Sequence, residues 1–490
     1  MKGLVVFLIF KCYKVKNMKV LFATSESFPF AVSGGLGDVA YALPKALRKK
    51  KIGVRVVMPL YSKIPENLRK EMKFITSISV PVAWRSQYCG IFEAKYDGVT
   101  YIFLDNEFYF KRNGMYGEYD DAERFAFFAR AVLECIPFIN FKPDVIHCND
   151  WQTALTPVYY KLMYYNRPGF ANIKTLLTIH NIQYQGRYGM DILEDVLGIP
   201  SWAAPILENG KDSNMLKAGI ECADKVSTVS PTYANEILDP WYSYNLDGIL
   251  KNRSYKLSGI VNGIDTDVYN PETDKNLAKN YSVDDLSGKA KCKAALQEEL
   301  GLPVKPDTPM IAMVTRLAGH KGLELVRFVF DEFINRDVQF VLLGSGEEEY
   351  EMFFHEKSNE YPDKFAFRCG FIPSLAHQIY AGADIFLMPS KQEPCGLAQM
   401  VSLRYGTVPV VRQTGGLADT IKDAGDDGVG YTFKSYNAHD MTGAIYRALG
   451  CYYNKEEWKK LVVKGMETDN SWSNSASKYI QLYQDAINLY

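Results

Sequence analysis

The sequence has no Cys-x-x-Cys pair and no excess of charge of either sign. Its nine cysteines are scattered from Cys12 to Cys451. An odd, dispersed set forms neither a disulfide framework nor a zinc site and is typical of a reducing compartment, so we expect a cytoplasmic protein. The 56 Lys and Arg residues are balanced by 57 Asp and Glu residues. No global field favours nucleic acid or an anionic membrane as a partner, so an anionic ligand needs a local site.

Several catalytic signatures are also missing. There is no Gly-x-x-x-x-Gly-Lys-Ser/Thr phosphate loop, and no Gly-x-Ser-x-Gly nucleophile elbow supports a hydrolase. The paired acids Asp265 and Asp267 lie in a turn-rich stretch and do not follow a strand, so we expect no metal site there. No repeat of solenoid length occurs.

Long hydrophobic runs are missing as well. The run from Leu4 to Phe10 is too short to span a bilayer, and no small-residue cleavage site follows it. Because the pattern of a first buried strand begins at Lys19, we interpret residues 1–17 as an extension that precedes a true start at Met18.

The 490 residues, 47% of them hydrophobic and 23% charged, predict a globular protein of two or three domains. Continuous apolar runs rich in β-branched residues alternate with helical patterns such as Val39 to Lys49 and Ala122 to Leu133, which indicates parallel, doubly wound sheets. The candidate strands are Val20–Thr24, Val54–Met58, Tyr101–Leu104, Val145–His147, Leu176–Ile179 and Val226–Val229, then Pro309–Thr315, Val338–Leu343, Phe365–Phe367, Ile385–Pro389 and Thr407–Val411.

A cluster of turn formers from Gly259 to Asp274 separates the two halves of this pattern. We therefore predict an N-terminal Rossmann-like domain over residues 18–262 and a C-terminal one over 263–472. Residues 473–490 have helical spacing and are expected to pack back on the N-terminal domain. In open α/β sheets, ligands bind beyond the carboxyl ends of strands, so two such sheets would place their sites in one cleft.

Two glycine-containing turns lie between a strand and a helix. Gly34 and Gly35 follow the first strand, where free backbone N–H groups and the helix dipole suit a phosphate. The alternative is a loop that uses glycine for a left-handed turn. The second turn contains Glu393, whose carboxylate can accept hydrogen bonds from sugar hydroxyls while the N–H groups of Cys395, Gly396 and Leu397 meet a diphosphate. A helix cap with a first-turn proline is the alternative there.

Further candidates follow other strands. Thr414, Gly415 and Gly416 form a third turn that can add donors to the same anion. Arg316 can grip a phosphate bidentately, and Lys321 adds a point charge five residues later, although surface placement is the commoner fate of either residue.

Polar groups for a sugar follow two strands of the first half. His147 and Asp150 belong to the first set, and a structural, hydrogen-bonded role is the alternative for His147. His180 is surrounded in sequence by Asn181, Tyr184 and Gln185, the mixture of polar and aromatic groups expected of a sugar pocket.

In this order, the motifs resemble bacterial glycogen synthases and plant starch synthases, retaining glucosyltransferases with two Rossmann-like domains of the GT-B type. The resemblance runs from about Met18 to Tyr490. It rests on Gly34–Val39, His147–Trp151, Thr178–Gly186, Leu216–Ile220, Thr228–Ala234, Val261–Asp265, Arg316–Leu317, Lys321–Leu323, Glu393–Leu397 and Arg404–Val410.

The resemblance implies transfer of glucose from ADP-glucose to the non-reducing end of an α-1,4-glucan, with retention and without a metal or other cofactor. It places the acceptor with the N-terminal domain and the donor with the C-terminal one. It implies that Asp150 and His180 surround the glucose, that Arg316 and Lys321 hold the diphosphate, and that Glu393 binds glucose hydroxyls.

Three positions depart from the family pattern. The turn reads Val32-Ser33-Gly34-Gly35-Leu36 where the family has Lys-x-Gly-Gly-Leu, so a cation near the diphosphate is replaced by valine. Asn149 stands where a histidine is frequent, and Lys391 where an arginine is usual. The valine motivates one alternative, a weakened homologue that only binds glucan. A related glycosyltransferase with another acceptor, such as a small sugar or a lipid, is the other alternative.

Overall fold

The computed structural model describes residues 18 to 489, which form two compact units. The first comprises the chain up to Val229, Ala234–Ile260 and the C-terminal segment from Trp472, and the second comprises Ser230–Tyr233 and Val261–Ser471. The predictions made for residues 1–17 lie outside the described residues.

The first unit is built on a nine-stranded sheet with the order β12-β11-β7-β6-β1-β2-β5-β4-β3. From β12 through β5 in this order, all neighbouring strands are parallel. The last two pairs, β5–β4 and β4–β3, are antiparallel. A separate small sheet has the order β8-β10-β9. The strands are β1 Lys19–Ala23, β2 Gly53–Pro59, β3 Lys73–Val82, β4 Arg85–Tyr96, β5 Val99–Asp105, β6 Val145–Asn149, β7 Lys174–Ile179, β8 Arg187–Gly189, β9 Glu208–Asn209, β10 Asp212–Asn214, β11 Lys225–Thr228 and β12 Leu257–Gly259.

The β3–β4 hairpin adds an antiparallel edge to the predicted parallel, doubly wound sheet. Most of β3 is exposed or half-exposed, with polar residues such as Thr76, Ser77 and Ser79 between its apolar ones. Such a strand has no continuous apolar run, because only one face of an antiparallel edge needs to be buried. The sequence criterion used for the inner strands therefore missed it.

The second unit has a six-stranded, all-parallel sheet with the order β15-β14-β13-β16-β17-β18. Its strands are β13 Met310–Val314, β14 Gln339–Gly344, β15 Phe365–Cys369, β16 Ile385–Met388, β17 Val408–Arg412 and β18 Tyr431–Phe433. The first five lie where the apolar runs predict them. Apart from Arg368 and Cys369 at the end of β15, their side chains are almost wholly buried, as expected for strands covered by helices on both faces.

Helices connect the strands. In chain order they are α1 Gly35–Lys49, α2 Glu66–Arg69, α3 Glu107–Phe110, α4 Asp121–Glu134, α5 Leu155–Tyr159, α6 Ile192–Asp195, α7 Ala204–Leu207, α8 Met215–Cys222, α9 Pro231–Glu236, α10 Pro240–Ser243, α11 Asp247–Asn252, α12 Ser287–Leu300, α13 Leu323–Ile334, α14 Glu348–Glu360, α15 Pro373–Gly382, α16 Ala398–Arg404, α17 Gly415–Thr420, α18 Ala438–Tyr453, α19 Lys455–Glu467 and α20 Trp472–Ile487. None of these helices is long and apolar enough to cross a membrane.

The C-terminal helix α20 belongs to the first unit, as predicted, and packs against α1, β6 and β7. Its Tyr483 hydroxyl lies 2.8 Å from His147 Nδ1, and the Tyr479 ring lies 5.5 Å from the same imidazole. Both tyrosines are fully buried. Helix α20 thus packs two buried tyrosines against His147 of β6.

Each sheet reverses its strand order at a point where ligands bind in open α/β folds. In the first unit this point lies at β1, between β2 and β6, and in the second unit it lies at β13, between β14 and β16. The carboxyl ends of β1, β6, β13 and β16 are therefore the places to look for functional side chains.

Candidate active site

The second unit has a pocket of about 230 Å³ at the carboxyl ends of β13 and β16. Arg316 and Lys321 line it from the segment after β13, and Glu393 lines it from the segment after β16. The remaining lining residues are Val314, Thr315, Met388, Gly396, Leu397 and Ala398. The strand topology thus brings these two neighbouring cations together with a carboxylate that is 72 positions from Lys321 in the sequence.

Lys321 and Glu393 form an ion pair inside this pocket. Lys321 Nζ lies 2.7 Å from Glu393 Oε2, and the Ser390 hydroxyl donates to the same oxygen at 3.0 Å. The Glu393 side chain is 8% exposed and that of Lys321 19% exposed. A carboxylate so deeply buried needs these partners, and they fix its direction. Ser390 was not singled out from the sequence, although it lies in the same strand-to-turn motif.

Hydrogen bonds from the Gln399 side chain stabilise the turn that carries Glu393. The Gln399 amide nitrogen donates to the carbonyl oxygens of Cys395 and Gly396, at 3.1 and 2.9 Å, and to Thr420 Oγ1. Gly396 has a φ of 72°, in the left-handed region that favours glycine. Cys395 points into the protein, where burial raises the pKa of its thiol to about 12.

The third turn does not supply the donors expected of it. The N–H of Thr414 donates to Arg412 O at 3.0 Å, and that of Gly416 donates to the carbonyls of Glu393 and Pro394, both at 3.1 Å. Gly415 and Gly416 are buried against the backbone of the 393–395 turn. These residues therefore support the pocket-forming turn, and the N–H groups of Thr414 and Gly416 are already used within the protein.

In the first unit, Asp150 and His180 lie together at the carboxyl ends of β6 and β7. The Asp150 carboxylate accepts a hydrogen bond from the backbone N–H of His180 at 2.7 Å. Asp150 has a φ of 56°, which is uncommon for a residue other than glycine and is a feature of functional sites. Burial raises the pKa of Asp150 to about 7 and lowers the pKa of His180 to about 3.

The Gly34-Gly35 turn begins helix α1 and remains exposed. The buried Glu26, which follows β1, accepts hydrogen bonds from Ser33 N at 2.8 Å and Gly37 N at 3.1 Å. Burial raises the pKa of this carboxyl. Glu26 therefore occupies part of the positive helix end for which the sequence predicts a phosphate, and the sequence pattern did not mark Glu26 as a candidate.

Two predicted sugar contacts are corrected by their burial. His147 is fully buried, and its two ring nitrogens are bonded to Tyr483 Oη and, at 2.6 Å, to Thr178 Oγ1. Gln185 is 4% exposed; it donates to two backbone carbonyls and accepts from the Asn214 amide. Both side chains have structural partners on each polar atom, so neither fits a role in sugar binding.

The other two residues of the 180–185 loop differ from these. Asn181 accepts from Gln183 N at 3.0 Å and thereby shapes the loop, while Tyr184 is 46% exposed. Tyr184 keeps a ring face open to a ligand.

An exposed aromatic residue escaped the sequence analysis. Phe371 is 88% exposed and follows β15, at the same sheet edge as Arg316. Its position could have marked it as a candidate ligand contact, because Cys369-Gly370-Phe371 forms a further junction between a strand and a turn. Among residues 18 to 489, no group of three or more His, Cys, Asp or Glu side chains could hold a metal ion.

Comparison with known proteins is consistent with this arrangement. Residues 19–252 match the family described as Starch synthase catalytic domain, and residues 298–462 match Glycosyl transferases group 1. The catalytic domain of starch synthase IV from Arabidopsis thaliana, solved with ADP and acarbose, is similar with a TM-score of 0.90 and 34% identity, over 96% of this chain and 99% of that one. This similarity confirms the GT-B fold class. Sucrose-phosphate synthase from Thermosynechococcus elongatus shares the fold at a TM-score of 0.62 and 18% identity, over 96% of this chain and 98% of that one.

Curated relatives are more similar in sequence. The chain is 49% identical to a glycogen synthase of Bacillus cereus over 475 residues, which covers 96% of this chain and all of the relative. It is also 49% identical to a glycogen synthase of Clostridium novyi over 476 residues, covering 96% and 99% of the two chains. Identity at this level over nearly the whole length confirms the resemblance seen in the motifs: the chain belongs to the glycogen and starch synthase family of glycosyltransferases.

Proposed function

We propose that this protein is a glycogen synthase, which transfers glucose from ADP-glucose to the non-reducing end of an α-1,4-glucan with retention of anomeric configuration. The observation that carries the proposal is the pocket at β13 and β16, in which Arg316, Lys321 and Glu393 converge. Two cations suit a diphosphate, and a buried, oriented carboxylate suits sugar hydroxyls.

Arg316 and Lys321 would bind the diphosphate of the donor. The leaving group carries growing negative charge as the glycosidic bond breaks, so fixed cations stabilise the transition state more than the ground state. Backbone N–H groups of Gly396 and Leu397, which line the same pocket, would complete the anion site. The exposed Phe371 would offer its ring face to the nucleotide base.

Glu393 would orient the glucose through its hydroxyls, held in place by Lys321 and Ser390. In the first unit, Asp150 and His180 would contact the sugar. A retaining transfer on one face of the ring lets the departing phosphate accept the proton of the acceptor hydroxyl, and the protein then contributes positioning and charge stabilisation. No metal ion has a role in this scheme.

The test is glucose transfer to glycogen primer, with ADP-glucose and UDP-glucose compared, in the presence of EDTA. We expect transfer from ADP-glucose that survives EDTA, and chain products linked α-1,4. Folded protein that transfers from no nucleotide-glucose, yet is retained by glycogen in a pull-down, would instead support the weakened glucan-binding homologue. Products formed only on small sugars or lipids would support a different acceptor.

The variant Lys321→Met separates the pocket from the rest of the protein. Because it removes a cation from the developing charge, we expect kcat to fall by roughly 100-fold or more. Lys289→Met is not a suitable control, since Lys289 is tied to four acceptors in the core. Lys460→Met is suitable, because Lys460 makes an exposed ion pair with Glu457, and it should leave kcat unchanged.

A further inference from the structure

Asn149 is the last residue of β6 and lies, fully buried, beside His180. Its amide group contacts three other groups. Nδ2 lies 2.9 Å from the carbonyl oxygen of Ala23 and 3.4 Å from that of His147, and Oδ1 lies 2.9 Å from His180 Nε2. Asn149 is thus the point where β1, β6 and the segment after β7 are bonded together.

The orientation of this amide is decided by its neighbours. A carbonyl oxygen can only accept a hydrogen bond, so the atom that faces Ala23 O must be the amide nitrogen. The amide oxygen is left to face His180. Rotating the Asn149 amide by half a turn would place two oxygens in contact at 2.9 Å and lose the bond to Ala23.

The same reasoning then fixes the proton of His180. The Asn149 oxygen can only accept, so His180 Nε2 must donate and carries the ring proton. In a neutral imidazole the other nitrogen, Nδ1, then has a free lone pair. Burial, which lowers the pKa of His180 to about 3, keeps the ring neutral at physiological pH.

We propose that Asn149 is a positioning residue that holds His180 in a single tautomer, with the proton on Nε2 and with Nδ1 able only to accept a hydrogen bond. A sugar hydroxyl can donate such a bond. The part of the proposal that concerns substrate rests on the proposed function, whereas the tautomer does not.

Two neighbours complete the environment of His180. Asp150 binds its backbone N–H at 2.7 Å, so main chain and ring are both held. His147, fully buried two residues before Asn149 on β6, uses its nitrogens for Tyr483 and Thr178 and leaves the His180 ring to Asn149. A histidine in place of Asn149 could exchange protons with His180, but an asparagine amide cannot titrate. This chain therefore locks a state that a histidine pair would leave free.

The tautomer is tested directly by nitrogen NMR on protein labelled with ¹⁵N in the histidine rings and free of substrate. The chain has six histidines, and His180→Gln identifies the signals of His180 by their loss. We expect the His180 ring to carry one proton, on Nε2, and its protonation to stay unchanged from about pH 5.5 to about 8.5. A proton on Nδ1, or fast exchange between both nitrogens, overturns the proposal. This measurement stands even if the protein transfers no glucose.

The consequence for catalysis is tested with three variants. Asn149→Leu keeps the size but removes the acceptor, so the His180 ring should lose its single tautomer and kcat should fall roughly 10-fold, with little change in the KM for ADP-glucose. Asn149→Asp keeps an acceptor and should restore part of kcat. The introduced carboxyl must donate to Ala23 O and accept from His180 Nε2, which only its protonated form can do, so kcat should fall as the pH rises and this carboxyl ionises.

Ser227→Ala is the matched control. Ser227 is fully buried on β11 and bonds Thr178 Oγ1, so its loss perturbs the same sheet without touching His180. It should lower stability while leaving the His180 spectrum and kcat unchanged. If Ser227→Ala and Asn149→Leu reduce kcat equally, or if Asn149→Asp is no more active than Asn149→Leu at low pH, Asn149 has only a structural role. If Asn149→Leu does not fold, the wild-type spectrum and Asn149→Asp still decide the question.

Discussion

Replacing Gly416 by alanine should disable the pocket without contacting a ligand. An added Cβ would lie 2.1 Å from Cys395 O and 2.4 Å from Cys395 Cα, whereas real Cβ atoms stay beyond 3.0 Å. Both contacted atoms belong to the backbone, which cannot move aside as a flexible side chain does. The turn from Glu393 to Cys395 must therefore move by about 1 Å relative to α17.

A displacement of this size affects the carboxylate directly, because the Gly416 N–H also holds the carbonyls of Glu393 and Pro394. Misplacing a group by about 1 Å can reduce the rate about 100-fold, which corresponds to about 2.7 kcal/mol of transition-state free energy. Overpacking of this kind destabilises the fold by about 1–3 kcal/mol. We therefore expect folded protein, a lower melting temperature and a strongly reduced kcat.

The assay is the initial rate of glucose transfer from ADP-glucose to glycogen, measured together with thermal unfolding. Gly443→Ala is the matched control: Gly443 is exposed within α18, and a Cβ there meets nothing within 4 Å. That change should leave kcat unchanged and stabilise the protein by about 0.5–1 kcal/mol. A folded Gly416→Ala variant with wild-type kcat would refute the argument that this contact positions Glu393.

Three further predictions concern the first unit. Val32→Lys restores the cation of the family turn and should lower the KM for ADP-glucose about 10-fold in steady-state assays; an unchanged KM would show that the lysine has no role here. Tyr483→Phe leaves His147 Nδ1 without its partner, so urea unfolding should show a loss of about 1–3 kcal/mol with unaltered donor kinetics. Burial raises the pKa of Asp150 from 3.8 to about 7, so the native state holds a proton that the unfolded chain has released, and stability falls as pH rises through this range. This pKa shift limits the loss of unfolding free energy to about 4 kcal/mol. Because Asp150 is partly exposed, we expect the unfolding free energy of wild type to fall by roughly 2 kcal/mol relative to that of Asp150→Asn between pH 5 and 8. A difference between the two proteins that does not change with pH would contradict this.

The sequence predicted the inner strands and the residues that follow them because both depend on local patterns. Strands covered on both faces need continuous apolar runs, and β1, β6, β13 and β16 have them. Functional side chains in such sheets follow the strand ends, which is why Arg316 and Glu393 could be selected. Motif order over the whole length then determined the family.

Only the tertiary structure decided which of the selected side chains remain available. His147 follows the same local pattern as His180, but Tyr483, 336 positions away, bonds its ring and buries it. Gly416 looks like a phosphate donor until the 393–395 turn is seen to use its N–H. Local sequence sets where a strand ends, whereas burial and hydrogen-bond partners come from segments that meet only when the sheet is assembled.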